Sequence, residues 1–262
     1  LDAVALTDHD TVEGLAEATV EADRAGVRLV PGCEISCDPA GRFPGTMHLL
    51  VYFLDRRDDR NGTDLEAAPL PARFRALREA RNTRNEKIVA ALHDHGVDIA
   101  LDDVLAEAGG GSVGRPHVAA VLVRAGVVGS VQEAFDVWLA KGRPAYLERD
   151  RLGVEEAIAL ARASGGVTSV AHPYSVGLTG DDLDAFVATL ATLGLDALEA
   201  VYGRYSPAER GALTELAIRH GLAVTGGSDF HGAYKPDLAV GTGTGDLHVP
   251  GALLAVLEAR RS

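Results

Sequence analysis

Five short clusters combine imidazole, carboxylate and small residues where apolar runs begin or end: Thr7-Asp8-His9-Asp10, Pro31-Gly32-Cys33-Glu34, His48-Leu49-Leu50, Ala171-His172-Pro173 and Ser228-Asp229-Phe230-His231. Imidazole nitrogen and carboxylate oxygen together suit borderline divalent cations, and few structural roles call for that mixture so often in one chain. The chemistry they point to is hydrolysis at a centre holding more than one metal ion.

Cations form a second group of candidates. Arg75, Arg78, Arg81, Arg84 and Lys87 recur every third residue, a spacing that drifts about 60° per step around a helix and draws a basic ribbon along it. Either this is a solvated face, or Arg81 or Arg84 reaches a substrate phosphate, which a guanidinium fork binds bidentately. In Gly114-Arg115-Pro116-His117 a glycine-rich lead-in, Gly109 to Gly114, opens a helix whose first turn carries Arg115 beside free backbone N–H groups, with His117 one turn away. Pro116 also fits a plain helix start. Lys141 and Arg143 in Lys141-Gly142-Arg143-Pro144-Ala145-Tyr146 make a third cationic spot, and Tyr174, just after the His-Pro pair, is a candidate pocket-lining residue.

The elements that must carry these residues alternate. Val4 to Thr7 precedes a helical pattern from Val12 to Ala25, Val167 to Ala171 precedes Asp182 to Leu193, and Ala197 to Tyr202 precedes Pro207 to His220, with Ala223 to Gly227 after it. Such alternation predicts βα units and a parallel sheet closed as a barrel, with the active end at the strand C-termini. His9, His172, Asp229 and His231 each follow a strand at once, so they converge on one mouth. Glu34 and His48 are separated by a stretch in which Pro39, Gly41, Pro44 and Gly45 block a helix, which predicts an antiparallel hairpin instead of a crossover. His48 then opens the strand Leu49 to Leu54 near where Glu34 closes Val30 to Ile35, with Glu34 pointing opposite to Cys33 and Ile35. From Pro71 to Pro144 the alternation breaks into helices, Ala72 to Gly96, Leu101 to Ala108, His117 to Gly126 and Val131 to Ala140, which predicts a helical insertion with Phe135 and Trp138 in its core.

Composition bounds the reading. The 262 residues are 47% hydrophobic, ample for a core, and the formal net charge of −13 argues against a protein that coats duplex DNA. No apolar stretch approaches the roughly 20 residues that span a bilayer, and no signal-peptide pattern opens the chain, so the expected location is cytoplasmic. Cys33 and Cys37 read as small apolar residues. His93, His95, His220 and His248 read as ordinary helix and loop histidines.

Taken in order, Thr-Asp-His-Asp, Pro-Gly-x-Glu-Ile-Ser, His-Leu-Leu, Ala-His-Pro and Gly-Ser-Asp-Phe-His resemble the metal motifs of the polymerase and histidinol phosphatase (PHP) family over nearly the whole chain. Each motif alone is weak, whereas the ordered set is specific. Gly-Arg-Pro-His and Lys-Gly-x-Pro-Ala-Tyr narrow the resemblance to stand-alone phosphoesterases similar to 3′,5′-nucleoside bisphosphate phosphatases. The resemblance implies a distorted β/α barrel of about seven strands (1–70 and 146–262), a helical substrate-capping insertion (71–145), and two to three divalent metal ions, manganese, iron or zinc. It implies that Glu34 bridges two metals, with Asp229 joining it on the first, His48 and His172 completing the second, and His9 and His231 holding the third. Asp8 is then an acceptor that orients an imidazole. The family pattern opens with a strand bearing His-x-His and a nearby Asp, whereas this sequence starts at Leu1 on what looks like the following strand.

The implied reaction is attack on phosphorus by a metal-acidified water, with His172 available to protonate the leaving alkoxide and Arg115 holding a second phosphate. The expected substrate is a small nucleotide such as pAp, losing its 3′-phosphate to give AMP. The alternatives are 5′-3′ exoribonuclease action on short RNA, a histidinol-phosphate-type phosphatase, and a barrel without catalysis.

Overall fold

A computed structural model describes residues 1–38, 43–54, 68–108, 113–148, 150–232 and 235–261. Among the described residues, seven strands form where apolar and β-branched residues run together: β1 (Ala3–Leu6), β2 (Arg28–Asp38), β3 (Met47–Tyr52), β4 (Leu152–Gly153), β5 (Val167–Val170), β6 (Ala197–Tyr202) and β7 (Ala223–Gly227). They make one mixed sheet in the order β1-β2-β3-β5-β6-β7, with β4 beside β2, curled as a half-barrel. The fold is thus α/β and barrel-like, as the alternation predicts.

Pairing is parallel for β1 with β2, β2 with β4, β5 with β6 and β6 with β7. Only β3 runs against both its neighbours, β2 and β5. The short helix-poor connection before His48 therefore does return the chain as a hairpin, with Pro39 and Gly41 lying outside the described residues. One detail differs from expectation. Strand β2 does not close at Ile35 but continues to Asp38, because Met47 and Leu152 give Cys37 partners on both sides and Gly153 pairs with Asp38.

The helices that flank the strands are α1 (Leu15–Ala25), α6 (Val154–Ala163), α7 (Gly180–Thr192), α8 (Pro207–Arg219) and α9 (Ala252–Glu258). Helix α8 starts where local chemistry dictates: Ser206 Oγ accepts from Glu209 N–H, Glu209 returns the contact to Ser206 N–H at 2.7 Å, and Pro207 occupies the first turn. Every residue of β5 is buried, and Leu49, Val51, Ala197, Leu198 and Ala200 are at most 1% exposed. Each large apolar side chain so enclosed contributes about 1.5–3 kcal/mol. Cys33 and Cys37 are buried free thiols, and burial pushes the Cys37 pKa up to about 12.

The chain divides into two compact units, Leu1–Arg73 with Arg151–Ser262, and Phe74–Asp150. The second is helical: the greater part of α2 (Pro69–Asp94), α3 (Leu101–Glu107), α4 (Arg115–Arg124) and α5 (Val131–Ala134), which runs into a π-helical turn at Phe135–Leu139. Its core gathers Ile88, Leu92, Val104, Val118, Leu122 and Leu139, with Phe135 and Trp138 packed against it. Among the described residues no helix is long and apolar enough to cross a membrane.

Candidate metal centre

The segments that follow β1 and β5 and the start of β3 bring His9, His172 and His48 to Glu34 in the middle of β2. This carboxylate is 4% exposed. Its Oε1 lies 2.6 Å from His48 Nδ1 and 3.3 Å from His172 Nε2, while Oε2 lies 3.9 Å from His9 Nε2. The rings crowd together, T-shaped for His9 and His48 and for His48 and His172, with centroids 4.9 and 5.2 Å apart, and tilted for His9 and His231 at 5.8 Å. Burial works to raise the Glu34 pKa, but hydrogen bonds from His172 and His48 and the charges of His9 and His48 overturn it, leaving the group well below the usual carboxylate range.

This donor set fits a divalent cation. Ligand atoms of His9, Glu34 and His48 lie within 4.8 Å of one another, and an ionised carboxylate ringed by nitrogen lone pairs is what such ions bind. The tautomers are arranged for it. Ser175 Oγ donates to the Thr46 carbonyl at 3.0 Å, so it accepts from His172 Nδ1–H at 2.8 Å and turns Nε2 toward Glu34, where a cation would replace the proton that Nε2 gives to the carboxylate. His231 Nδ1 likewise donates to the Asp229 carbonyl at 2.8 Å.

Asp229 sits beside His231, with Oδ1 3.1 Å from Nδ1, and its Oδ2 accepts from Tyr202 OH at 2.8 Å and Lys235 Nζ at 2.5 Å. Backbone strain marks the same turns: Asp10, His172 and Asp229 have φ of 53°, 28° and 52°. Such left-handed positions cost about 1–3 kcal/mol each for residues other than glycine and persist only where the surroundings enforce them.

Three contributors, Glu199, Tyr202 and Lys235, were not legible as motifs, and a fourth, Asp10, stood in the Thr-Asp-His-Asp cluster without an assigned part. Glu199, on β6, is 4% exposed and accepts from His172 N–H at 2.7 Å, and burial pushes its pKa up to about 7. Tyr202 and Lys235 hold Asp229, and the Asp10 carboxylate accepts from Ser36 N–H at 2.9 Å. A lone carboxylate inside the apolar run Ala197–Tyr202 was the one available signal for Glu199.

Asp8 departs from its expected part. The segment after β1 pairs in parallel with β2, and side chains alternate, so His9 turns to Glu34 while Asp8 Oδ2 turns toward Gly14, 3.3 Å from where a Cβ would lie there. Its backbone carbonyl accepts from Glu34 N–H at 3.0 Å, and among the described residues no hydrogen bond joins its carboxylate to an imidazole. Ser175 and the Asp229 carbonyl do the orienting instead.

Tyr174 stacks edge-on with Tyr205 at 5.1 Å, and its N–H donates to Tyr205 OH. Arg84, Arg115, His117, Lys141 and Arg143 all belong to the second unit. There Arg84 is buried, Lys141 and Arg143 are exposed, and Arg115 donates to the Leu139 carbonyl at 2.9 Å with its guanidinium 5.2 Å from the Tyr146 ring centroid. His117 Nδ1 accepts from Gly114 N–H at 3.0 Å, closing the start of α4. Residues 109–112 of the glycine-rich lead-in lie outside the described residues. His93, His95 and His220 bond Ile99 O, Ala91 O and Asp184 Oδ1, in keeping with ordinary structural roles.

A curled α/β sheet that gathers imidazoles around a buried carboxylate defines a metal-dependent hydrolase, and comparison with known proteins narrows its substrate bond to a phosphoric ester. No family model matches the chain. It is 34% identical to the 5′-3′ exoribonuclease Rnm of Escherichia coli over 231 residues, 87% of this chain and 74% of that protein. It is 30% identical to a 3′,5′-nucleoside bisphosphate phosphatase of Chromobacterium violaceum, over 87% of this chain and 76% of that one. Among solved structures, a candidate metal-dependent phosphoesterase from Bifidobacterium adolescentis aligns over 100% of this chain and 87% of its own, with TM-score 0.64 and 31% identity. An amidohydrolase from C. violaceum with bound sulfate aligns with TM-score 0.65 and 27% identity over 99% and 86%. The chain belongs to the PHP family of metal-dependent phosphoesterases.

Proposed function

We propose that this enzyme removes the 3′-phosphate of a small 3′,5′-bisphosphate nucleotide such as pAp, giving AMP and phosphate. The observation that carries the reading is the sharing of Glu34 Oε1 by His48 and His172 with His9 facing Oε2, a geometry suited to a bridging ligand. Glu34, His9, His48, His172, Asp229 and His231 would hold two to three divalent ions, manganese, iron or zinc. When bound, such ions supply positive charge that polarises the phosphoester and acidifies water.

The residues divide the remaining work. Glu34, ionised by its surroundings, presents both oxygens to the cations. Tyr202 and Lys235 donate to Asp229 Oδ2 and so turn Oδ1 toward His231. The two roles read for His172 compete for one nitrogen, because Nδ1–H is committed to Ser175 and only Nε2 faces the site. The ligand role needs Nε2 without its proton and the acid role needs Nε2 with one, so the two exclude each other within a single turnover.

A net charge of −13 favours a small anion met by local cations over a long nucleic acid. A role for the insertion in choosing substrate belongs to the same proposal and is tested through Lys141 and Arg143. With both replaced by alanine, KM for pAp is expected to rise about tenfold or more, the loss of one to two charge-assisted contacts, with KM for AMP little changed. The primary test is phosphate release from pAp, AMP, histidinol phosphate and a dinucleotide with manganese present. Fastest turnover of pAp supports the proposal, preference for histidinol phosphate replaces it, and inertness toward all four leaves a barrel without catalysis.

The second reading, a 5′-3′ exoribonuclease on short RNA, is favoured by the three exoribonuclease relatives at 34%, 32% and 30% identity. A ladder of shortened products from a 5′-labelled or 3′-labelled oligonucleotide, outpacing phosphate release from pAp, would establish it.

A further inference from the structure

We propose that Glu199 is a positioning residue that holds the turn carrying His172, setting by its reach where the His172 ring meets Glu34. The inference rests on the reading of His172 as a metal ligand.

Four observations support it. Glu199 is 4% exposed in the strand Ala197–Tyr202, where every other residue but Glu199 and Tyr202 is aliphatic, and a buried carboxylate there needs a specific partner. Its Oε2 takes the backbone N–H of His172 at 2.7 Å, a residue held at φ 28°. Its Oε1 points the other way, 3.3 Å from where a Cβ would lie at Gly227, which leads through Ser228 to Asp229 at φ 52°. Finally, the ladder between β6 and β7 slips between Glu199 and Val201, an irregularity of the kind that re-aims a side chain beside a functional site.

One carboxylate thus holds the strained turn at His172 and abuts the strand end that leads into the turn at Asp229. Withdrawing the acceptor at Oε2 would free the His172 N–H side of the left-handed turn and let Nε2 shift from its place 3.3 Å from Glu34. Glycine at position 227 keeps the other oxygen uncrowded.

Two substitutions separate reach from charge. Glu199→Asp keeps the carboxylate and withdraws it by one methylene, whereas Glu199→Gln keeps the length and an acceptor oxygen but loses the ionisable group. Manganese(II) is titrated into the chelator-stripped full-length protein, bound metal is counted, and thermal melts confirm folding. Positioning predicts affinity within threefold of wild type for Glu199→Gln and about 10–100-fold weaker for Glu199→Asp, the range typical of partners that orient ligands. Wild-type affinity in Glu199→Asp, or a loss of more than tenfold in Glu199→Gln, overturns the proposal. Should Glu199→Asp fail to fold, Glu199→Gln decides by the same limits. A wild-type protein that takes up no manganese overturns the metal reading and this inference together, whereas normal wild-type uptake with an unaffected Glu199→Asp overturns the positioning role alone.

Discussion

At Glu34 a single oxygen is approached by two imidazoles and its neighbour faces a third, so the residue is both the most enclosed and the most heavily shared group of the cluster. Replacing it with glutamine keeps the volume but removes the charge and one acceptor. Glu34→Gln is expected to lower metal content and phosphate release by more than the about 10–100-fold that outer partners cost, with folding retained on a melt. Metal counting on purified protein checks this, and unchanged content would remove Glu34 from the ligand set. At this scale the sequence was informative wherever chemistry follows an apolar run: His9, Glu34, His48, His172, Asp229 and His231 all stood out. Glu199, Tyr202 and Lys235 did not, because each acts on a residue of another segment and leaves no local pattern. Asp8 misled because a carboxylate next to a histidine in sequence lies on the opposite face of an extended chain.

Elements decide how rigidly those groups are held. Gly45 and Thr46, just before β3, donate to the carbonyls of Val176 and Ser175 at 2.9 Å, which draws the start of β3 against the turn after His172. A Cβ at Gly45 would lie 2.1 Å from the Ser175 carbonyl oxygen, so the backbones must part to admit it. Gly45→Ala is expected to cost about 1–3 kcal/mol, read in denaturant melts, and to weaken manganese binding because Ser175 orients His172. An alanine variant as stable as wild type would show the contact to be slack. The hairpin of β2 and β3 was foreseeable from the proline and glycine between Glu34 and His48, since a helical crossover had no room to form. The extension of β2 was not, because its partner β4 lies more than a hundred residues away in sequence. Helices α6 and α9 and the two-residue β4 also escaped the alternation, being short or following no cluster with chemistry of its own.

Across the whole molecule, the two units have separate apolar cores, one around Ile88, Leu122 and Leu139, the other around Val30, Leu50, Val167 and Ala197. Among the described residues, His9, His48 and His172, which face Glu34, belong to the unit with the sheet. Saturation with metal at about 100 times Kd stabilises the bound state by about 2.7 kcal/mol. Hydrogen exchange is therefore expected to show chelator lowering protection in β2, β3 and β5 while leaving α4 as it was. Equal losses in both would mean that the units unfold as one.

Glu34 and His48 stand 14 residues apart, whereas 138 residues separate Glu34 from His172. A nascent chain leaving the ribosome therefore displays His9, Glu34 and His48 while the segments bearing His172, Asp229 and His231 have yet to be translated. Between those two stages the polypeptide carries three of the six proposed ligands, and full cation affinity would wait on the later three.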